Sequence, residues 1–481
     1  MDDLIRTAEA RGWPTKESEP ETAAGQVVRE QLAPAAEADA RTYLDARPRQ
    51  RELLGQSVAG AFERTFFYGR LFRKHFRGKQ MTPELVRELF FGLPFTSKED
   101  VVRNYPNGFL AVAPQAPVAY FESSGTSGNT IHSTRSASFF TRGDVERDVA
   151  RRFSPDLGLS STDVVVNALP FALTSSGLGF MQATIAAGAM AVTVDSGSML
   201  SSHVKHIELL RELKATVLVT SLPLVYSTLL QMEGQDPKTE LANLRAVQLC
   251  GLATLHNGKA KIRSTFGVPV FDTYGLSEFG ATTFTCRAGE MHVHEGDFFF
   301  EVINPRDGEP VGNGVGGEIV ITTLTREASP KIRYRTGDFG MLHYGRCECG
   351  RRAPRLDVKG RLRDAAQFGE RFRLPIDFEE ILYRFPATTG LFRLLYEPIE
   401  GDGNRLKVTV TADVDDPNRA GLQAEIEAAM RAEISPMIDV ELVRVGGAQA
   451  ALLDQSKFAN VRTVKSAMLD DKRPQEWLVT Y

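Results

Sequence analysis

The sequence has 481 residues, 57 Lys+Arg against 61 Asp+Glu, a net charge of −4 and 42% hydrophobic residues. Such a chain can bury more than one core, and its near-neutral balance argues against a dedicated nucleic-acid binder. Four cysteines are too few for a secreted disulfide framework, and 25% charged residues with ordinary Gly and Pro argue against disorder.

The opening Met1-Asp2-Asp3-Leu4-Ile5-Arg6 is acidic and lacks a basic-then-apolar leader pattern, so a cytoplasmic protein without a signal peptide is expected. Residues 1–60 read as polar helical stretches. Thr82 to Phe91 reads as a capped amphipathic helix. Val164 to Val194 carries no charge and is long enough to span a bilayer, but its Asn167, Pro170, Thr174 and Gln182 predict strand, loop, buried helix and strand instead. No membrane association is therefore expected. Strands are predicted at 164–166, 191–194, 216–220 and 268–271, with helices at His203–Leu213 and Leu224–Met232. That alternation indicates an α/β architecture with a parallel-containing sheet. Residues 298–303 and 317–322 read as hairpins of a β subdomain. A shorter α/β tail follows, with strands at 406–411 and 438–445 and a helix from Arg419 to Glu433. The expected division is a large N-terminal unit, 1–360, and a small C-terminal one, 361–481.

The first chemical motif is Phe121-Glu122-Ser123-Ser124-Gly125-Thr126-Ser127-Gly128-Asn129-Thr130. Glycines and small hydroxyl residues let backbone N–H groups curl around an anion. No Gly-Lys-Ser/Thr follows, so it is not a Walker loop, and alone such a turn is also an ordinary surface loop. Three further motifs follow in order: Phe271-Asp272-Thr273-Tyr274-Gly275-Leu276-Ser277-Glu278, Arg333-Tyr334-Arg335-Thr336-Gly337-Asp338, and Gly360-Arg361-Leu362-Arg363-Asp364.

A separate pattern concerns metal. Cys347-Glu348-Cys349-Gly350 resembles a knuckle, and Cys286 and His292 are spaced C-x5-H on the other side of the β region. Three thiolates and one imidazole suit a closed structural Zn²⁺ site. His294 competes with His292 for the fourth position. Cys250 reads as a core thiol, and His132, His203, His206 and His256 as packing or surface residues.

In order and spacing, the four motifs resemble the adenylate-forming superfamily of acyl- and aryl-CoA synthetases and peptide-synthetase adenylation domains. Leu93-Pro94-Phe95-Thr96-Ser97-Lys98-Glu99-Asp100, Tyr105-Pro106-Asn107-Gly108 and Cys347-Glu348-Cys349-Gly350-Arg351 make the phenylacetate–CoA ligase-like branch the nearest, over residues 60–470. The resemblance implies a nucleotide- and acid-binding N-terminal domain and a mobile C-terminal domain. It also implies ATP and Mg²⁺ as requirements and CoA as acceptor of the activated acid.

By the same resemblance, Ser123, Ser124, Gly125, Thr126, Ser127 and Gly128 would hold the outer phosphates. Gly251, Asp272, Tyr274 and Gly275 would lie by the adenine. Asp338 would take the ribose hydroxyls with support from Arg361, and Glu278 would help hold Mg²⁺. Lys457 in Gln455-Ser456-Lys457-Phe458 would bridge carboxylate and α-phosphate, with Lys465 the neighbour that could be confused with it. Arg363 would sit at the hinge. Phe171, Ser176, Gly177, Tyr274, Gly275 and Phe279 would line a pocket for a flat aromatic acid. Three departures stand out: Asn129-Thr130 where relatives carry Lys and Pro, Arg363 where they carry Asp or Lys, and no Glu in Leu249-Cys250-Gly251-Leu252-Ala253-Thr254. The branch also leaves room for a homodimer. Alternatives are transfer to a carrier-protein phosphopantetheine, activation of a non-carboxylate acid, and an inactive binding relative.

Overall fold

The computed structural model describes residues 39–73, 82–122, 136–196, 201–221, 225, 232, 234–368, 371–398, 404–412, 416–444 and 469–471. Helices α1 (Ala40–Asp45), α2 (Pro48–Arg64), α3 (Phe66–Arg73), α4 (Pro83–Leu89) and α5 (Lys98–Arg103) come first. Thr82 caps α4 as expected, accepting from Leu85 N–H. Strands β1 (Ala119–Glu122) and β2 (Ala137–Phe140) pair antiparallel, and α6 (Arg142–Arg151) follows behind a Thr141/Asp144 capping box.

The alternating region runs β3 (Val164–Asn167), α7 (Ser175–Ala186), β4 (Met190–Thr193), α8 (His203–Glu212), β5 (Val217–Thr220), α9 (Pro237–Glu240), β6 (Ala246–Cys250), α10 (His256–Phe266) and β7 (Val270–Thr273). Its strands form a parallel sheet in the order β4-β3-β5-β6-β7. The uncharged stretch is thus a strand, a buried helix and a strand. The last strand begins two residues later than expected, at Val270, because Pro269 has no N–H to donate to a ladder. Among the described residues no helix is long and apolar enough to cross a membrane. The helix expected at Leu224–Met232 lies mostly outside the described residues.

The hairpin β8 (Gly275–Leu276) and β9 (Gly280–Ala281) leads into β10 (Thr283–Thr285), β11 (Met291–Val293), β12 (Phe298–Ile303), β13 (Gly316–Thr323), β14 (Tyr334–His343) and β15 (Arg355–Arg361). The last six form one antiparallel sheet, ordered β10-β11-β15-β14-β13-β12. The core on this sheet, built on Phe298, Phe299, Ile319 and Ile321, is completed by Leu54, Val58, Tyr68 and Phe72 of α2 and α3.

After Arg361 come β16 (Ala366–Phe368), β17 (Arg371–Arg373), α11 (Pro375–Leu382), β18 (Thr388–Pro398), β19 (Asn404–Ala412), α12 (Asp416–Glu433), β20 (Ile438–Arg444) and β21 (Leu469–Asp471). Phe378, Leu394, Val408, Ile426, Met430 and Val440 form a core of their own. α11 reaches back to α10: the Glu380 carboxylate accepts from Asn257 N–H at 3.1 and 3.3 Å, and Lys261 Nζ donates to the Pro386 carbonyl at 3.1 Å.

Candidate active site

The motif residues converge where β6 and β7 end and the antiparallel sheet begins. The chain leaves β6 through Gly251, at φ +97°, a backbone that favours glycine. It leaves β7 through Asp272 and Thr273 into Tyr274. Gly275 then passes so near the facing strand that a Cβ would stand 2.3 Å from the Gly280 carbonyl oxygen.

Tyr274 and Arg361 meet on Asp338. The tyrosine Oη donates to Asp338 Oδ2 at 2.7 Å, and Arg361 Nε lies 2.9 Å from Oδ1. Asp338 and Arg361 are direct partners across β14 and β15, which explains the ion pair. Arg361 also donates to the Thr336 carbonyl at 2.8 Å. Burial, then the charge of Asp338, push the Tyr274 phenol far above its ordinary range. Asp338 still has lone pairs to offer, since a carboxylate has about four acceptor sites.

Glu278 is buried in the turn between β8 and β9. Its Oε1 accepts from Tyr334 Oη at 3.2 Å, and its carbonyl accepts from Ser138 Oγ at 3.1 Å. Lys98 joins this group through pairing. Thr96 bridges to Tyr334, donating its N–H to the Arg333 carbonyl at 3.0 Å and accepting from Arg335 N–H at 2.9 Å. Ser97 and Asp100 then box the start of α5, setting Lys98 at its first residue. Burial pulls the Lys98 amine down, Glu278 opposes that, and Arg361 and Arg363 reinforce it. Lys98 had no role in the sequence reading, because its place depends on a bridge between residues far apart in the chain.

Other expected site residues are placed as follows. Asp272 is buried with its carboxylate 3.4 Å from Lys259 Nζ and accepting from Thr273 N–H at 2.8 Å, so it faces inward. Burial pushes its carboxyl above the ordinary carboxylate range, against the pull of Lys259. Phe279 is wholly buried, edge-on to Tyr334 with ring centres 5.5 Å apart, and packs in the core. Phe171 and Ser176 are half-buried. Gly177 is where a Cβ would stand 2.5 Å from the Pro170 oxygen and 2.9 Å from Phe171 Cδ2. This segment is tied to β1 by Glu122 N–H donating to the Leu173 carbonyl at 2.9 Å. Arg363 pairs with Asp364 at 3.5 Å in the turn after β15. Ser123 to Gly128 and Lys457 lie outside the described residues.

Cys286, His292, Cys347 and Cys349 come together, all four buried, with their donor atoms within 4.8 Å of one another. Cys286 and Cys347 Sγ are 3.9 Å apart, and Cys349 Sγ is 3.4 Å from His292 Nε2. A tetrahedron with Zn–S and Zn–N arms has edges of about 3.8 and 3.5 Å. His292 Nδ1 lies 2.9 Å from the Ala353 carbonyl, a contact that suits Nδ1–H and frees Nε2 as the ligand. Both cysteine loops share one turn. Gly289 and Gly350 N–H donate to the Cys286 and Cys347 carbonyls, at 2.8 and 2.9 Å, with φ +85° and +92°. Burial pushes the Cys286 thiol up to about 11. Burial opposes it, yet backbone and side-chain hydrogen bonds from Arg351 draw Cys349 down to about 6. His294 is not in this set; its ring lies against Phe284, centres 4.9 Å apart.

The AMP-binding enzyme family model matches residues 92–325, the stretch from the start of the Lys98 motif through the parallel sheet and both hairpins. The phenylacetate–coenzyme A ligase of Aromatoleum evansii is 26% identical over 440 residues, 90% of this chain and 96% of that protein. The phenylacetate–coenzyme A ligase of Thermus thermophilus is 27% identical over 384 residues, 77% of this chain and 82% of its own. The family model and these relatives together support a place in the adenylate-forming superfamily, in its phenylacetate–CoA ligase-like branch. The fold agrees. A crystal structure of 2-hydroxyisobutyryl-CoA ligase in the postadenylation state matches with a TM-score of 0.72 at 19% identity, covering 90% of this chain and 92% of that one. Within the family fold, Tyr274, Asp338, Arg361 and Glu278 stand together at the end of the parallel sheet.

Proposed function

We propose that this enzyme couples a small aromatic carboxylic acid to AMP with ATP and Mg²⁺, then passes the acyl group to CoA. The enzyme class, an AMP-forming acid–thiol ligase, follows from the family; the aromatic acid is the finer reading. The observation that carries the site is the Tyr274–Asp338–Arg361 cluster beside Glu278. The relatives named phenylacetate–coenzyme A ligase support an arylacetic acid.

In the first step a carboxylate oxygen attacks the α-phosphorus and pyrophosphate leaves. In the second, the CoA sulfur attacks the acyl carbon, AMP leaves and the thiol proton is released. Both partners of the first step are anions, so the protein's task is neutralisation and alignment. Asp338 accepts from the ribose hydroxyls while Arg361 and Tyr274 hold it. Ser123 to Gly128 donate to the outer phosphates, Lys457 bridges the reacting oxygens, and Lys98 adds positive charge beside Glu278. Glu278 is the carboxylate that would hold Mg²⁺, which neutralises phosphate charge when bound. The tail after residue 360 rotates between the steps about Arg363, withdrawing Lys457 and admitting the thiol.

Cys286, His292, Cys347 and Cys349 would hold a structural Zn²⁺, a full set that leaves no position for chemistry. Metal analysis of protein purified without chelator should give one zinc per chain, and Cys347→Ser should lower that content; zinc-free wild type would sink the assignment.

The function is tested by pyrophosphate release with aromatic and aliphatic acids, with and without CoA. Release with phenylacetate or a close relative, and thioester formation only with CoA, is the expected result. A preference for aliphatic acids would overturn the aromatic reading, and adenylate without thioester would point to a different acceptor.

A further inference from the structure

The segment after residue 135 carries buried charges that the roles above leave unused. The buried residues of α6 are Asp144, Asp148 and Arg151, and Arg152 follows at 2% exposure. Buried charges need partners, and two of these hold the backbone of a single residue. Ala281 N–H donates to Asp148 Oδ1 at 2.9 Å, and Arg151 Nε donates to the Ala281 carbonyl at 3.1 Å. Arg152 Nε donates to the other oxygen of Asp148 at 3.0 Å. Gly280, at φ +75°, leaves the space this requires: a Cβ there would stand 2.0 Å from Asp148 Oδ1. Ala281 is the strand partner of Gly275. The rest of the turn is gripped as well, by Ser138 Oγ on the Glu278 carbonyl and Arg326 on the Phe279 carbonyl. These contacts grip the backbone from Glu278 through Ala281.

We propose that Asp148, backed by Arg151 and Arg152, is a positioning residue that fixes the Gly275–Ala281 turn and so aims the Glu278 carboxylate. The turn is held by β2 and α6, the elements that follow the phosphate-loop motif. This inference rests on the reading that Glu278 carries Mg²⁺.

The test follows Mg²⁺ dependence in the full-length enzyme. Asp148→Asn keeps the size and an acceptor for Ala281 N–H but removes the charge facing Arg152. Gly280→Ala attacks the same contact from the other side and leaves every charge in place. Both should raise the half-saturating Mg²⁺ for pyrophosphate release several-fold and lower kcat about tenfold, as expected of a slightly misplaced group. The thioester step from supplied acyl-adenylate and CoA should not move. A purely structural role would depress both half-reactions together, and that result would overturn the proposal. If Asp148→Asn does not fold, Gly280→Ala decides alone. Glu278→Gln is the reference. If it leaves Mg²⁺ dependence unchanged, the Mg²⁺ reading fails and takes this inference with it. If it shifts while the other two do not, only the positioning role fails.

Discussion

The two large sheets differ in how much buried charge they carry. The parallel sheet is aliphatic: Val165, Val166, Val217, Val219, Val247 and Leu249 are all at or below 1% exposure. The antiparallel sheet buries polar groups beside its Phe and Ile core. Thr283, Thr322 and Thr323 are wholly buried in it, and Glu301 and Arg333 form a buried pair at 2.8 Å. Arg333 also donates to the Phe91 and Leu93 carbonyls, both at 2.7 Å. Aliphatic burial is strong but non-directional. Charge-assisted hydrogen bonds are directional, and losing one partner strands the other. The first sheet therefore supplies stability, and the second supplies aim.

The largest effect expected from this contrast is on the polar side. Asp338→Ala removes the acceptor shared by Tyr274 and Arg361, and pyrophosphate release should fall about 100- to 1,000-fold, the scale set by losing one preorganised polar contact. Near-wild-type turnover would break the comparison. On the apolar side, Leu249→Ala should cost about 2–5 kcal/mol of stability, read by denaturant unfolding, while kcat/KM of the folded fraction stays near wild type. A specific loss of kcat there would show that the scaffold also aims.

The smallest effect sharpens the contrast at a third place, α11. Glu379 is buried, and burial, then the charge of Glu380, push its carboxyl up to about 8 from an ordinary 4.5. The folded chain thus keeps a proton that the unfolded chain releases, so its stability contribution is full below about pH 4.5 and is lost as pH rises through about 8. Glu379→Gln should flatten the fall in Tm between about pH 5 and 8. Parallel Tm profiles for the two proteins would remove Glu379 as its cause.

Much of this was legible in the sequence. β3, β4, β5, β7 and the β12–β13 hairpin announced themselves as short apolar runs between turn residues. The site motifs were found because their residue types are unusual in order. Lys98 was not visible, since its neighbours are set by the bridge from Thr96 to β14. Asp148, Arg151 and Arg152 were not either: a helix rich in Asp and Arg reads as a solvated face until its partners are known. His292 and His294 are two apart and would share a face of a continuous strand. β11 ends at Val293, which leaves only His292 among the cysteines.

One contact at the tail has a use of its own. Leu255, at the start of α10, offers no side-chain cap, and the carboxylate that receives the first free amide comes from Glu380 of α11. The helix thus borrows its cap from the part of the chain proposed to rotate, a loan worth about 1 kcal/mol. When α11 moves away, water takes over at Asn257 N–H. Amide hydrogen exchange at that one position becomes a clock for how often the tail lets go.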